Sequence, residues 1–106
     1  MKKFKIGFRP RAKSDLFELY DHIAESAGRA VAGGFIDRIE AACLALARFP
    51  ARGRKRDDLR PGLRIVGFER RVSIAFIVDD GEVVIARIFY GGRDYEALLL
   101  RSQDEG

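Results

Sequence analysis

Residues Arg70–Asp94 read RRVSIAFIVDDGEVVIARIFYGGRD, and this stretch decides the fold. In its first half, apolar residues occupy both alternating faces of an extended chain, which predicts a central strand of a sheet. Asp79–Gly81 follows, and it is typical of a hairpin turn because Asp and Gly tolerate positive φ. A second strand is predicted over Glu82–Tyr90. The stretch therefore predicts a hairpin at the centre of the sheet.

The end of this hairpin carries a charged pair. Gly91 and Gly92 separate the second strand from Arg93 and Asp94. Glycine leaves the backbone free to take angles that other residues avoid. We therefore expect the function to depend on this end of the sheet.

The residues before the hairpin predict a strand and two helices. Alternating apolar residues predict a strand over Lys3–Phe8, with a polar second face that is typical of a sheet edge. Apolar residues at three- and four-residue spacing predict a helix from Pro10 to about Gly28. The same spacing predicts a second helix that ends near Phe49. The pattern places Asp15 on the polar face of the first helix.

Two glycines bear on where the second helix begins. Gly33 and Gly34 each cost about 1 kcal/mol relative to alanine inside a helix. The alternative is that they allow a close approach by another part of the structure. We favour a helix that begins near Phe35.

A further strand is predicted over Leu63–Phe68, so the order of elements is β-α-α-β-β-β. The predicted fold class is α+β, with an N-terminal helical hairpin packed on one face of a mostly antiparallel four-stranded sheet. A helical hairpin covers only one sheet face, so apolar surface is expected on the other, unless the C-terminal tail folds back over it. The aromatic residues expected to line that surface are Phe68, Phe76, Phe89 and Tyr90.

Length and composition predict a single domain over residues 1–106. The chain has 106 residues and is 47% hydrophobic, which suffices for one core. A tail over about residues 95–106 is expected to form a short helix and then to fray at its end. No apolar run approaches the length of a membrane span, so a soluble protein without a membrane partner is expected.

Positive charge is concentrated in one segment. The net charge is +4, and Pro50–Arg71 holds eight basic residues against three acidic ones. The basic residues are Arg52, Arg54, Lys55, Arg56, Arg60, Arg64, Arg70 and Arg71. Such a segment attracts phosphates or an acidic protein partner, and the alternative is a solvated basic loop.

Few residues are available for metal or covalent chemistry. A single cysteine, Cys43, excludes an intrachain disulfide and fits a reducing cytoplasm, and we expect it to be buried. The single histidine, His22, is predicted on the polar side of the first helix. No metal-ligand spacing or phosphate-binding glycine loop is present, so no metal or cofactor is expected. Arginine and tyrosine remain, and arginine binds anions but moves protons poorly.

Four segments in this order are similar to a known family: RPRAKSDL, GGFIDRIEAA, LARFPARGRKRDDLRPGLR and IARIFYGGRDYEALL. They resemble the toxins of the RelE/ParE superfamily, the ParE branch in particular, over roughly Phe4–Leu99. The resemblance implies a toxin of a type II toxin–antitoxin system that a ParD-like antitoxin holds inactive. ParE toxins are regarded as poisons of DNA gyrase, whereas RelE toxins cleave mRNA on the ribosome.

The resemblance also implies roles for individual residues. In the mRNA-cleaving branch, basic residues of the middle strands and a Tyr or His near the C-terminal end form the cutting site. Arg64 falls near one of those basic residues, Arg93 near the arginine after the last strand, and Tyr90 where some members have a histidine. Val66 and Ser73 stand where that branch has a lysine and an arginine. These departures remove proton-transfer groups and favour a non-enzymatic gyrase inhibitor.

The expected target- or partner-binding residues are Arg64, Arg71, Arg87, Tyr90 and Arg93. The first alternative is a metal-free, ribosome-dependent endoribonuclease that uses Arg64, Tyr90 and Arg93. The second is a degenerate member that only binds its antitoxin. Direct binding of nucleic acid is compatible with the inhibitor and with the nuclease.

Overall fold

The computed structural model describes residues 4–91, and within them the chain forms two helices and one five-stranded sheet. In chain order the elements are β1 (Lys5–Phe8), α1 (Pro10–Ala27), α2 (Arg29–Ala45), β2 (Arg54–Lys55), β3 (Leu63–Phe68), β4 (Val72–Asp79) and β5 (Glu82–Tyr90). The strand order is β1-β5-β4-β3-β2. Neighbouring strands are antiparallel, except that β1 runs parallel to β5. The α+β class is confirmed, and β4 is the central strand as predicted.

The sheet has five strands rather than the predicted four. The additional strand, β2, lies inside the basic segment and pairs Arg54 with Ile65 and Lys55 with Arg64. It was missed because two charged residues show no apolar alternation. Gly53, with φ of 76°, makes the turn into it. The pairing places a basic strand at one edge of the sheet, while β1 forms the other edge as expected.

The second helix begins earlier than predicted. Gly28 alone, with φ of 96°, separates α1 from α2, which starts at Arg29 and not near Phe35. A buried residue of the first turn, Ala32, anchors the early start against the core. This packing outweighs the low helix propensity of Gly33.

The second helix also ends earlier than predicted. It stops at Ala45, and a turn continues to Arg48 before the chain reaches Phe49. Leu46 and Ala47 are still buried, which explains why the apolar spacing runs on past the helix. Within residues 4–91, neither helix is both long and apolar enough to cross a membrane.

The main core lies between the helices and one face of the sheet, here called the helix face. Alternate residues of β4, namely Val72, Ile74 and Phe76, point into it. Cys43 is fully buried there, and burial raises the pKa of its thiol to about 12. The thiol is therefore protonated at physiological pH and unreactive, as its predicted burial implies.

A smaller core lies on the opposite face, here called the second face. It contains Leu59, Leu63, Ile65, Ala75 and Phe89. Of the four aromatic residues predicted to line exposed surface, only Phe89 lies on this face, and it is 3% exposed. Phe68, Phe76 and Tyr90 instead pack against the main core.

A β-bulge in β5 decides the face of the sheet on which Tyr90 lies. Ala75 pairs with Arg87 whereas Phe76 pairs with Ile85, so Ala86 is an extra residue in β5. The bulge shifts the alternation by one position. Tyr90 consequently lies on the helix face.

Asp15 closes the edge of β5 where β1 stops pairing. β1 pairs with β5 only as far as Phe8 and Ile85. Beyond that point, the backbone N–H of Ile88 donates to Asp15 Oδ2 over 2.8 Å. The guanidinium of Arg87 binds the same carboxylate through Nε at 2.9 Å and Nη2 at 3.1 Å.

This position corrects two predictions. Asp15 is not on the polar face of α1, because its side chain is only 5% exposed. Arg87 is equally buried, so it is not available to contact a target on the surface. The pair joins α1 to β5 from inside the protein.

We predict that Asp15→Asn lowers the free energy of unfolding by about 3–5 kcal/mol, because it leaves the Arg87 charge buried without a counter-charge. Chemical denaturation measures the change, and Glu25→Gln, at an exposed position of the same helix, is the control. Asp15→Asn combined with Arg87→Met removes both charges. The pair has no stabilising coupling if the double variant loses as much as the two single variants added together.

Two glycines are predicted to respond oppositely to alanine. A Cβ at Gly33 meets no atom within 4 Å, so Gly33→Ala should raise the free energy of unfolding, by about 0.5–1 kcal/mol through helix propensity. A Cβ at Gly53 collides with the backbone carbonyl of Ile65. Gly53→Ala should therefore be destabilising. A stability loss in Gly33→Ala would show that the glycine is needed inside the fold.

Candidate functional site

The turn between β3 and β4 is strained. Glu69 and Arg70 have φ of 47° and 66°, in the left-handed region. That conformation costs a residue other than glycine about 1–2 kcal/mol. Arg38 of α2 holds the turn from the side, since its Nε donates to Glu69 Oε2 over 2.9 Å. Strained backbone of this kind is concentrated at functional sites.

The strained turn is tied to the end of β5. The N–H of Gly91 donates to the carbonyl of Arg71 over 2.8 Å, and the Arg71 side chain is exposed. We use the name turn site for residues Glu69–Arg71 together with Tyr90 and Gly91. Arg93, a predicted site residue, lies outside the described residues, two positions beyond Gly91.

Tyr90 borders a cleft of about 360 Å³ between α1 and the end of β5. Its ring contacts His22 edge-on, with centroids 5.8 Å apart, and Phe35 at 6.1 Å. Asp15 and Glu18 also line the cleft. The predicted exposure of His22 is confirmed. The structure thus places the imidazole of His22 beside the phenol of Tyr90 in the turn site.

Arg64 belongs to a different surface, here called the basic edge, formed by Arg52, Arg54, Lys55 and Arg64. Arg64 is half-buried, and its Nη1 donates to the carbonyl of Arg52 over 3.4 Å. Arg52 lies over the ring of Phe49, with 5.2 Å from Cζ to the centroid. The charges of the basic edge consequently lie along strand β2 and face solvent.

Not every basic residue of the segment contributes a free charge. Arg56 forms two hydrogen bonds with Asp58, at 3.0 Å and 2.8 Å. Those bonds from Arg56 lower the pKa of Asp58. The pair is internally neutral, which concentrates the attraction for anions at the basic edge and the turn site.

The predicted site residues thus do not converge on one point. Tyr90 is level with Val72 and Arg64 with Phe76, four residues further along β4. This spacing is about 13 Å along the strand direction. Arg71 is the predicted residue that the structure brings next to Tyr90 and to the segment leading to Arg93.

Sequence reasoning missed the part played by α1. Asp15, Glu18, Leu19 and His22 have the spacing i, i+3, i+4 and i+7, so they share one face of the helix. That spacing, with the apolar Leu19 among three polar residues, was the signal available in the sequence for a shared helix face. The contact of His22 with Tyr90 joins residues 68 positions apart, and no local pattern predicts it. Among residues 4–91, no group of three histidine, cysteine or acidic side chains is placed to hold a metal ion.

Comparison with solved structures identifies the architecture. The fold matches that of the chromosomal ParDE toxin–antitoxin system from P. aeruginosa with a TM-score of 0.73 and 27% identity, over 84% of this chain and 97% of that one. It also matches the RelBE2 toxin–antitoxin complex from Mycobacterium tuberculosis with a TM-score of 0.59 and 18% identity, over 83% of this chain and 98% of that one. The second similarity concerns the fold alone.

Sequence comparison identifies the family. The profile of the ParE toxin of the type II toxin–antitoxin system parDE matches residues 6–95. Toxin ParE3 of Caulobacter vibrioides is 35% identical over 94 residues, which are 89% of this chain and 92% of that protein. The chain therefore belongs to the ParE toxin family of type II toxin–antitoxin systems.

Proposed function

We propose that this toxin inhibits DNA gyrase without being an enzyme, and that a ParD-like antitoxin neutralises it. The observation that carries the proposal is the family match over residues 6–95, because ParE toxins are regarded as gyrase poisons. The match includes the turn site and the basic edge. Arginine suits such a role, since it stays charged at any working pH and binds anions without transferring a proton.

The proposed contacts with gyrase or its DNA complex come from exposed arginines. Arg71 is the strongest candidate because the strained turn fixes its backbone beside Gly91. Arg64 at the basic edge and Arg93 beyond Gly91 are further candidates. Arg87 is excluded from this set by its burial against Asp15.

An antitoxin partner is supported by the solved neighbours, which are toxin–antitoxin systems. Antitoxin segments that fold on binding gain affinity by burying apolar side chains and pairing charges. This toxin offers both, with Phe17 on α1 73% exposed and a surplus of positive charge.

A second candidate function is mRNA cleavage, and one specific observation favours it. His22 and Tyr90 are in ring contact beside the arginine-bearing turn, so a proton acceptor and a proton donor lie near anion-binding groups. Arg64, which the sequence grouped with Tyr90, is too far along the sheet to belong to that arrangement. The nuclease would therefore use the turn site with His22.

We predict that the antitoxin-free protein traps gyrase on supercoiled plasmid in the presence of ATP. Trapped double-strand breaks and loss of supercoiling are the two readouts. Arg71→Ala should weaken the effect about 10- to 100-fold, since a charge-assisted hydrogen bond is worth about 1.5–3 kcal/mol. Arg29→Ala, at the exposed first residue of α2, is the matched control.

The outcomes separate the candidates. Unaffected gyrase, with a folded protein that is toxic in cells, would overturn the gyrase proposal. An equal effect of the Arg71 and Arg29 variants would remove Arg71 from the contact surface while leaving the target in place.

The nuclease alternative has its own test. Tyr90→Phe keeps the ring contacts with His22 and Phe35 and removes only the hydroxyl, so the fold should be unchanged. A gyrase inhibitor should keep its toxicity in this variant and in His22→Gln. Loss of toxicity in both, together with ribosome-dependent cleavage of mRNA by the wild type, would instead establish the nuclease.

A further inference from the structure

A second cleft, separate from the turn site, lies near the other end of the sheet. It has a volume of about 370 Å³ and extends from Arg9, which follows β1, to the loop before β3. The floor is formed by Ile77 and Val84, which are paired across β4 and β5. Arg9 and Arg60 stand on its two sides, and Asp79 also lines it. Neither arginine was a candidate from the sequence.

Arg9 and Arg60 place two positive charges at the same cleft. Burial, and then the positive charge of Arg60, lowers the pKa of Arg9. Within residues 4–91, neither side chain forms an ion pair, and Asp79 does not reach either one within ion-pair distance. The cleft thus contains two cations that no described carboxylate neutralises.

The fold holds both arginines in place by their backbones. The N–H of Arg9 donates to the carbonyl of Ile85 over 3.0 Å, and Arg9 caps the start of α1. Arg60 lies in a turn where its N–H bonds to Arg56 and its carbonyl accepts from Leu63. These backbone hydrogen bonds therefore position both residues at the sides of the cleft.

The combination of an aliphatic floor and two guanidiniums defines the ligand. A carboxylate side chain can bridge the two arginines while a neighbouring aliphatic side chain covers Ile77 and Val84. Asp79 opposes any anion alike, so the aliphatic floor is what distinguishes the ligand classes, because a phosphodiester backbone has no aliphatic side chain to cover it. The chemistry of the cleft thus favours a peptide over a phosphodiester.

We propose that the Arg9–Arg60 cleft is a binding site for an acidic and apolar segment of the antitoxin. This inference rests on the proposed antitoxin partner and places one of its contacts at a specific site. The cleft lies away from Arg71 and Tyr90, so its occupation and the contact with the target are separable.

The experiment titrates the full chain with a synthetic peptide that alternates glutamate with leucine or valine. A peptide with glutamine in place of glutamate and a single-stranded oligothymidylate are the two comparison ligands. Calorimetry gives the affinities, and methyl NMR signals of Ile77 and Val84 report the location. Arg9→Gln and Arg60→Gln should each weaken binding of the acidic peptide about tenfold, and Arg29→Gln should not.

Stability of the free protein provides a second readout. Because neither arginine has a described partner, Arg60→Gln should leave the melting temperature unchanged or raise it as the repulsion is removed. A marked decrease would indicate a structural role and overturn the proposal. Equal peptide affinities of the wild type and both cleft variants would overturn it as well, and so would preferential binding of the oligothymidylate there.

A gyrase assay with the same variants separates the two proposals. Arg9→Gln and Arg60→Gln should inhibit gyrase as the wild type does. If the wild type does not act on gyrase, the target proposal fails while the peptide result stands. If only the cleft variants lose inhibition, the cleft belongs to the target surface and the antitoxin assignment is overturned.

Discussion

The structure depends on the way in which Asp15 completes the edge of β5. β1 is short, and after Phe8 the chain turns into α1, so within residues 4–91 the second half of β5 has no partner strand on that side. A carboxylate from α1 then accepts the N–H of Ile88 and both guanidinium bonds of Arg87. A buried N–H without an acceptor costs about 1–3 kcal/mol, and a buried unpaired charge costs more. One side chain thus satisfies the exposed strand edge, neutralises a buried arginine and fixes the first helix on the sheet.

The same arrangement decides which arginines are available for function. With Arg87 held inside, the predicted site residues that still present charge among the described residues lie on two surfaces, with Arg64 at the basic edge and Arg71 in the strained turn before β4. The two surfaces lie at different heights along the sheet, and Arg71 is the one that adjoins the end of β5. A target that requires several arginines at once must therefore span the sheet, whereas a small substrate meets Arg71 in company with Tyr90 and His22.

Much of this fold follows from local patterns, and the failures have physical causes. The hairpin of β4 and β5 was predictable because its residues alternate over long strands and Asp80 and Gly81 suit its turn. The bulge at Ala86 was not, since nothing local marks an extra residue, and it sets the face on which Tyr90 lies. The start of α2 was misplaced because Gly33 has low helix propensity, while tertiary packing of Ala32 decides the outcome. At the site, Arg71 was a candidate from the sequence, but the hydrogen bond from Gly91 to its carbonyl and the partners of Arg87 are long-range contacts.

Charge that the fold leaves unpaired is informative because folding itself does not favour it. Arg87 shows that this chain neutralises an arginine when it buries one. Arg9 and Arg60 depart from that rule although both have fixed backbones and lie beside an aliphatic floor. A small protein has only a narrow margin of stability, so repulsion between two guanidiniums is a cost that the isolated chain does not offset there. In the proposed complex an anion from the partner offsets that cost, and the aliphatic floor favours an anion that carries apolar neighbours.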